Sequence, residues 1–157
     1  MGLIAEAIEG AQVFLQDLTH VTVNRGPGSF TGIRVGLAAA QGLCLAGKIP
    51  LLGLTGFQIW RHKEKGPLLV GIDTRRHDFY TAFFDGEYDS KALKIMTADQ
   101  IQTFKKENPS VTLRGDLSEE VPALTAVDLG KTAYDFLQRG DKSFSEDPFY
   151  LRPASVH

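Results

Sequence analysis

The segment that most constrains this chain is GPGSFTGIRVGLAAAQGLCLA, running from Gly26 to Ala46. A short apolar run, Val21-Thr22-Val23-Asn24, leads into Gly-Pro-Gly, the chemistry of a buried strand that ends in a tight turn. Ser29 or Thr31 then stands where a side-chain oxygen can accept hydrogen bonds from the unpaired N–H groups of a helix's first turn. Gly26, Gly28, Ser29 and Thr31 therefore read as a loop and helix cap. The same N–H groups and the helix dipole also favour negative charge, so an anion site is the second reading of this loop. Neither common phosphate motif fits: no Lys follows in the P-loop pattern, and Gly26, Gly28 and Gly32 are not spaced as in the dinucleotide fingerprint.

The second half of the segment predicts a helix from about Ser29 to Ala46. At about 100° per residue, Gly32, Gly36, Ala38, Ala39, Ala40, Gly42 and Ala46 share one broad face of small side chains, adjoined by Ile33, Leu37 and Cys44. The polar remainder is narrow, essentially Arg34 and Gln41. A helix so apolar all round must be covered on more than one side. Its own sheet can take one side, while the other needs a second helix or another subunit whose backbone approaches closely over the small residues. The alternative is that the helix is simply internal.

The rest of the chain alternates strands with helices. Residues 3–11 carry Leu3, Ile4, Ala7, Ile8 and Ala11 at helical spacing, with no cap ahead of them, as if the chain began inside a helix. Leu51 to Leu54 reads as a strand, Thr55 to His62 as a short helix, and Arg61 to Gly66 as a charged, exposed linker before Pro67. Leu68 to Asp73 and Phe79 to Phe84 form a hairpin across Thr74-Arg75-Arg76-His77-Asp78, and Ala92 to Met96 adds a third strand. In a regular strand Phe79 and Tyr80 face opposite ways, so one is expected in the core and the other on a wetter side. Thr97-Ala98-Asp99-Gln100 starts a helix to Lys106, Val111 to Leu113 is a strand ended by Gly115, and Ala126 to Leu137 is the last helix. The expectation is an α/β fold with a mixed sheet, divided into residues 1–65, with the GPGSFTG helix, and residues 66–157, with the hairpin.

Composition narrows the function. With 157 residues and 43% hydrophobic content, the chain can bury a sizeable core. A formal net charge of -2 lacks the basic excess of a protein that grips nucleic acid by itself, so any RNA contact is expected to be shared with a partner. Arg75-Arg76-His77 is the best local cluster of positive charge, suited to phosphate, RNA or an acidic partner, or else a solvated turn. Asp73 is expected to fix that turn by accepting backbone N–H bonds. Cys44 is the single cysteine, and no Cys/His spacing suggests zinc, so no metal is expected. His20, His62, His77 and His157 read as surface or loop residues. No charged-then-apolar leader is seen, and the longest apolar stretch, Gly32 to Gly47, is shorter than about 20 residues and holds Arg34 and Gln41. The expectation is a cytoplasmic chain with no membrane span.

The glycine-rich segment resembles the signature of the TsaB (YeaZ) family. Ile49-Pro50-Leu51-Leu52-Gly53-Leu54, the Asp73 to Tyr80 hairpin, Arg114-Gly115-Asp116 and the closing Pro148-Phe149-Tyr150-Leu151-Arg152 agree in order and spacing, although Thr74 stands where that family more often has Ala. The resemblance implies an actin-like, sugar-kinase-like ATPase fold of ribonuclease H-like type. It is identified as N-terminally truncated, lacking the first strands and thus part of the phosphate site of the wider fold. It also implies a non-catalytic scaffold in the complex that forms N6-threonylcarbamoyladenosine in tRNA. Such a scaffold pairs with a catalytic TsaD-like subunit, or alone as a homodimer, alongside a TsaE-like ATPase, and meets tRNA at most through the complex. It needs no cofactor and has no catalytic residue. The interface expected on this basis comprises Gly32, Gly36, Ala39 and Ala40 for close approach, with Arg34 as a polar contact.

Two other classes remain open at this point: a nucleotide- or anion-binding module built on residues 26–31, and a glycoprotease-like hydrolase. The first needs an intact phosphate hairpin. The second needs a base near a nucleophile or a zinc spacing, and neither His-Glu-x-x-His nor Gly-x-Ser-x-Gly occurs.

Overall fold

Strand β1 (Val21–Asn24) and strand β2 (Leu51–Leu54) run parallel, Val21 opposite Leu51 and Asn24 opposite Leu54. Parallel neighbours need a crossover, which helix α2 (Phe30–Gly47) supplies. The structure is a computed structural model that describes residues 2–86, 90–118, 122–141 and 144–151. Two elements precede this unit: helix α1 (Gly2–Gly10) and a 3-10 turn at Leu15–Asp17. Helix α2 anchors on the strands through Ile33, Leu37 and Ala40, which join Val23 and Leu51 in one cluster. It ends where Lys48 turns left-handed and its N–H bonds to the Cys44 carbonyl.

The second sheet has the order β5-β4-β3-β6. Strands β3 (Pro67–Asp73) and β4 (Asp78–Asp85) form the expected hairpin, Asp73 opposite Phe79, and β5 (Ala92–Thr97) extends it antiparallel. Strand β6 (Thr112–Gly115) returns parallel to β3 after helix α4 (Ala98–Glu107), so this sheet is mixed.

Both faces of the second sheet are covered, which the period-2 alternation along β3 allows. Leu69 faces α4 and packs with Ile101 and Val111, joined by Phe79, Phe83 and Phe104. Leu68 and Val70 face the other way, onto Phe57 and Trp60 of helix α3 (Gly56–Lys63), with Ala82 and Phe84. Tyr80 packs on this second cluster. The expectation that only one of Phe79 and Tyr80 could be core is therefore corrected: helices cover both sides of the sheet, and each ring packs on its own face.

Helix α5 (Ala126–Gln138) closes a third cluster, in which Ala133 and Phe136 meet Leu52 and Leu54 of β2 and Ile59 of α3. Thr55, Thr97 and Thr125 each cap a helix in a reciprocal box with Gln58, Gln100 and Asp128, worth about 1 kcal/mol apiece. Arg61, read as part of an exposed linker, is instead buried. Its guanidinium donates to the Gly66 carbonyl at 2.6 Å, which satisfies the group and closes the turn into β3.

Candidate functional site

The Gly-Pro-Gly loop, the hairpin tip, the end of β6 and the closing aromatic segment meet around one cleft of about 530 Å³. Four motifs far apart in sequence thus converge. Pro27 to Phe30 form one wall, residues 72–76 with Tyr80 and Asp116 the other, and residues 149–151 complete it.

The tail reaches the cleft by strand-like bonding across the first sheet's end. Ser145 N–H donates to the Gly53 carbonyl at 3.2 Å, and Phe149 N–H to the Arg25 carbonyl at 2.8 Å. Close approach explains two glycines: a Cβ at Gly53 would stand 1.9 Å from the Ser145 carbonyl oxygen, and one at Gly26 would stand 2.8 Å from that of Phe149. Arg25 donates to the Asp147 carbonyl at 3.1 Å and lies over the Phe149 ring. Burial lowers the pKa of its guanidinium, opposed by the nearby Asp147 charge.

Ser29 caps α2, its Oγ accepting from Gly32 N–H at 3.2 Å, while Thr31 lies exposed inside the first turn. On the opposite wall Asp73 does hold the hairpin tip: its Oδ1 accepts from Arg75 N–H at 2.7 Å. Thr74 Oγ donates to Asp78 and accepts from Arg76 N–H. Asp116 Oδ2 accepts from Asp73 N–H at 2.7 Å, so the end of β6 braces the hairpin. This network leaves Arg75 in a left-handed backbone conformation with its side chain 90% exposed, its Nε 3.7 Å from Asp73. Arg75 and Arg76 both line the cleft.

Arg34 is exposed at the head of α2 yet already held. Its guanidinium lies 3.8 Å from the centre of the Phe30 ring, and its Nε donates to the Tyr150 hydroxyl at 3.1 Å. Phe30 and Tyr150 stand 5.4 Å apart between ring centres. Phe149, Tyr150 and Asp116 were landmarks in the sequence and not candidates. Two adjacent aromatic residues near the chain's end are the only signal that points to them; Arg152, beside them, lies outside the described residues.

Along α2 the small residues divide. Gly32 is exposed, Gly36 and Ala39 are half-buried, and Ala40 is buried in the cluster with Val23 and Leu51. That corrects the placing of Ala40 on a partner face: the larger Ile33 and Leu37 choose the side that meets the sheet, and Ala40 lies between them on the same stripe. The outward stripe is Arg34, Val35, Ala38, Gln41, Gly42 and Leu45, with Val35 and Leu45 64% and 84% exposed. Helix α1 has no buried residue, and its Leu3 is 82% exposed. By length and a mean hydropathy of 1.2, α2 passes for a membrane span, but its Ile33–Leu37–Ala40 side lies on a sheet as a core helix does.

The remaining ionisable groups act structurally. His62 sits on α3, bonded to Asp135 at 2.9 Å, which corrects its reading as a surface or loop residue; His157 lies outside the described residues. Lys63 bonds Asp128 at 2.5 Å and, with the Thr125 backbone and hydroxyl, holds that carboxyl down to about 2. Burial and the Glu146 charge push the Cys44 thiol up, away from thiolate reactivity. No group of three or more potential metal ligands occurs among the described residues.

Two sheets joined through α3, one of them mixed, with a cleft between loop and hairpin, form an α/β protein of the actin-like, sugar-kinase-like class. A solved structure of the same fold, an uncharacterized protein from Pseudomonas aeruginosa with similarity to peptidase YeaZ, superposes with a TM-score of 0.68 at 21% identity, covering 95% of this chain and 81% of that one. The family model for TsaD, tRNA N6-adenosine threonylcarbamoyltransferase, matches residues 1–145. The tRNA threonylcarbamoyladenosine biosynthesis protein TsaB of Buchnera aphidicola subsp. Schizaphis graminum is 32% identical over 111 residues, 68% of this chain and 51% of that protein. The Escherichia coli K12 protein of the same name is 32% identical over 85 residues, 51% of this chain and 37% of that one. The chain belongs to the TsaB (YeaZ) family, and spans about half the length, or less, of these curated relatives.

Proposed function

We propose that this chain is a non-catalytic, cytoplasmic scaffold in the formation of N6-threonylcarbamoyladenosine in tRNA. It pairs through the outward face of α2 with a TsaD-like catalytic subunit, in an assembly that includes a TsaE-like ATPase, and by itself with a second copy. The family supports the pathway. The observation that carries the scaffold role is the uncovered apolar stripe of α2, where Val35 and Leu45 stand in solvent in line with Ala38 and Gly42. Gly32 and Arg34 lie at the head of this surface, and Gly36 and Ala39 along its margin. Small residues there let a partner helix come close.

The nucleotide-module reading is weaker, because Asp73 and Asp116 line the cleft where a polyphosphate would have to sit. The hydrolase reading is weaker because, among the described residues, the bond drawn to Ser29 Oγ is the cap from Gly32 N–H, with no base hydrogen-bonded to it.

Sedimentation of the chain, alone and with the TsaD-like subunit of the same source, tests the proposal. Gly42→Leu is the decisive variant, since nothing lies within 4 Å of a Cβ built there, whereas Gly36 faces Val23 at 4.0 Å. Leucine also favours the helix over glycine, so the fold should persist. Loss of the mixed species by tenfold or more in affinity is expected. Unchanged association would remove α2 from the interface.

A further inference from the structure

The geometry points to the cleft between Phe30, Tyr150 and the Arg75–Arg76 hairpin as a docking site for one or two nucleotides of a single-stranded RNA segment. This deepens the tRNA-modification reading and rests on it. The cleft's three kinds of surface are arranged as a strand would need them. Phe30 and Tyr150 are 39% and 38% exposed; Arg34 already lies over the Phe30 ring, so the Tyr150 ring, 5.4 Å from that of Phe30, is the platform on which a base would stack whatever its identity. Arg75 and Arg76 supply cations on the facing wall, and the Asp73 bond to Arg75 N–H holds the tip so that the Arg75 side chain projects into solvent.

The carboxylates decide among ligands. Asp116 uses one oxygen on Asp73 N–H, and an ionised carboxylate has acceptor capacity left for a base amino group or a ribose hydroxyl. Together Asp73 and Asp116 repel an acidic peptide or a polyphosphate drawn into the cleft. A strand carries a single charge per nucleotide and can leave it at the arginine rim. At about 530 Å³ the cleft falls within the usual range for a small-ligand site. The chain's net charge of -2 makes such binding weak in isolation, as befits a contact shared within a complex.

The test uses the full chain and a fluorescein-labelled single-stranded oligoribonucleotide of about ten nucleotides, read by anisotropy from roughly 50 mM salt upward. Replacing Arg75 and Arg76 together by Ala should weaken binding about tenfold. It should also flatten the plot of log K against log salt by about 1.4, for two phosphates at about 0.7 each. Tyr150→Ala should weaken binding by a similar factor with the salt slope unchanged, while Tyr150→Phe, which keeps the ring, should bind as the parent does. The arginine variant should still pair with the TsaD-like subunit in sedimentation.

Binding indifferent to these substitutions, or no binding at all, overturns the inference. So does displacement of the RNA by AMP at equal concentration, which would make this a free-nucleotide site, or by polyglutamate, which would make it an acidic-protein site. If RNA binding follows the expected pattern while the parent chain fails to pair, the inference stands and only the scaffold reading falls.

Discussion

Helices α2 and α5 are both amphipathic and both lie on the β1–β2 sheet, yet the faces they leave in water differ: α5 exposes Val127 and Tyr134 among Asp128, Lys131 and Asp135, whereas α2 exposes Val35, Ala38, Gly42 and Leu45 along one stripe. On α5, Thr132, Ala133 and Phe136 are buried, the last two against β2 and α3, and the His62–Asp135 contact and the Lys63–Asp128 ion pair tie its flank to α3. On α2 the inner stripe is buried, but Val35 and Leu45 on the outer stripe stay in water. The outer stripe of α2 is the surface that the proposed pairing would cover. On the proposed reading, α5 serves stability and α2 serves association.

Truncation at each centre gives the sharpest contrast. Phe136→Ala should cost about 3–5 kcal/mol, because the ring fills a site walled by Leu54 and Ile59 that cannot collapse onto the methyl. Leu45→Ala should change stability by less than about 0.5 kcal/mol and act on pairing instead. Urea denaturation of both variants measures the difference. Equal losses would mean that α2 is internal in the free protein and that the comparison is false.

A smaller effect should appear where the hairpin meets β6. Gly115 adopts φ 73°, and a Cβ there would stand 2.3 Å from the Gly71 carbonyl oxygen. The clashing oxygen is backbone and cannot rotate away, so Gly115→Ala should cost roughly 2 kcal/mol. It should also disturb the brace from Asp116 to Asp73, seen as a shift of the Asp73 and Arg75 amide resonances. Lost stability with those resonances unmoved would show the brace to be independent of the turn.

Much of the fold was legible because its signals are local. Thr97 and Gln100 mark a helix start within four residues, and the hairpin lies in two β-rich runs around a polar tip. What was not legible depends on distant neighbours. Whether Phe79 or Tyr80 is covered depends on α4 and α3 taking opposite faces of one sheet. Which side of α2 meets the sheet depends on the bulk of Ile33 and Leu37, since a stripe of small residues alone fits either side. The cleft was the least visible feature: Arg34 looked like a free polar contact until Tyr150, more than a hundred residues on, was found bonded to it. Candidates drawn from the glycine-rich loop and the hairpin thus line one cleft, and of the tail that joins them only the Phe149-Tyr150 pair gave a local sign.

The smallest predicted effect concerns the ion pair that fastens α5 to α3. Asp128 is held at about 2, below its ordinary 3.8, chiefly by the Lys63 hydrogen bond and then by the Thr125 backbone and hydroxyl. A carboxyl depressed in the folded state contributes stability in full above about pH 4 and loses it as pH falls through about 2. The Lys63 side chain is 35% exposed, so solvent screening limits the pair to less than about 1 kcal/mol. Lys63 also lies 5.8 Å from the Trp60 ring, a contact that does not titrate in this range. Lys63→Ala should therefore destabilise more at pH 7 than at pH 2, and the pH-dependent part should shrink in roughly 1 M salt. A penalty constant across that range would assign the contribution of Lys63 to its contact with Trp60 within α3 and not to its pair with Asp128.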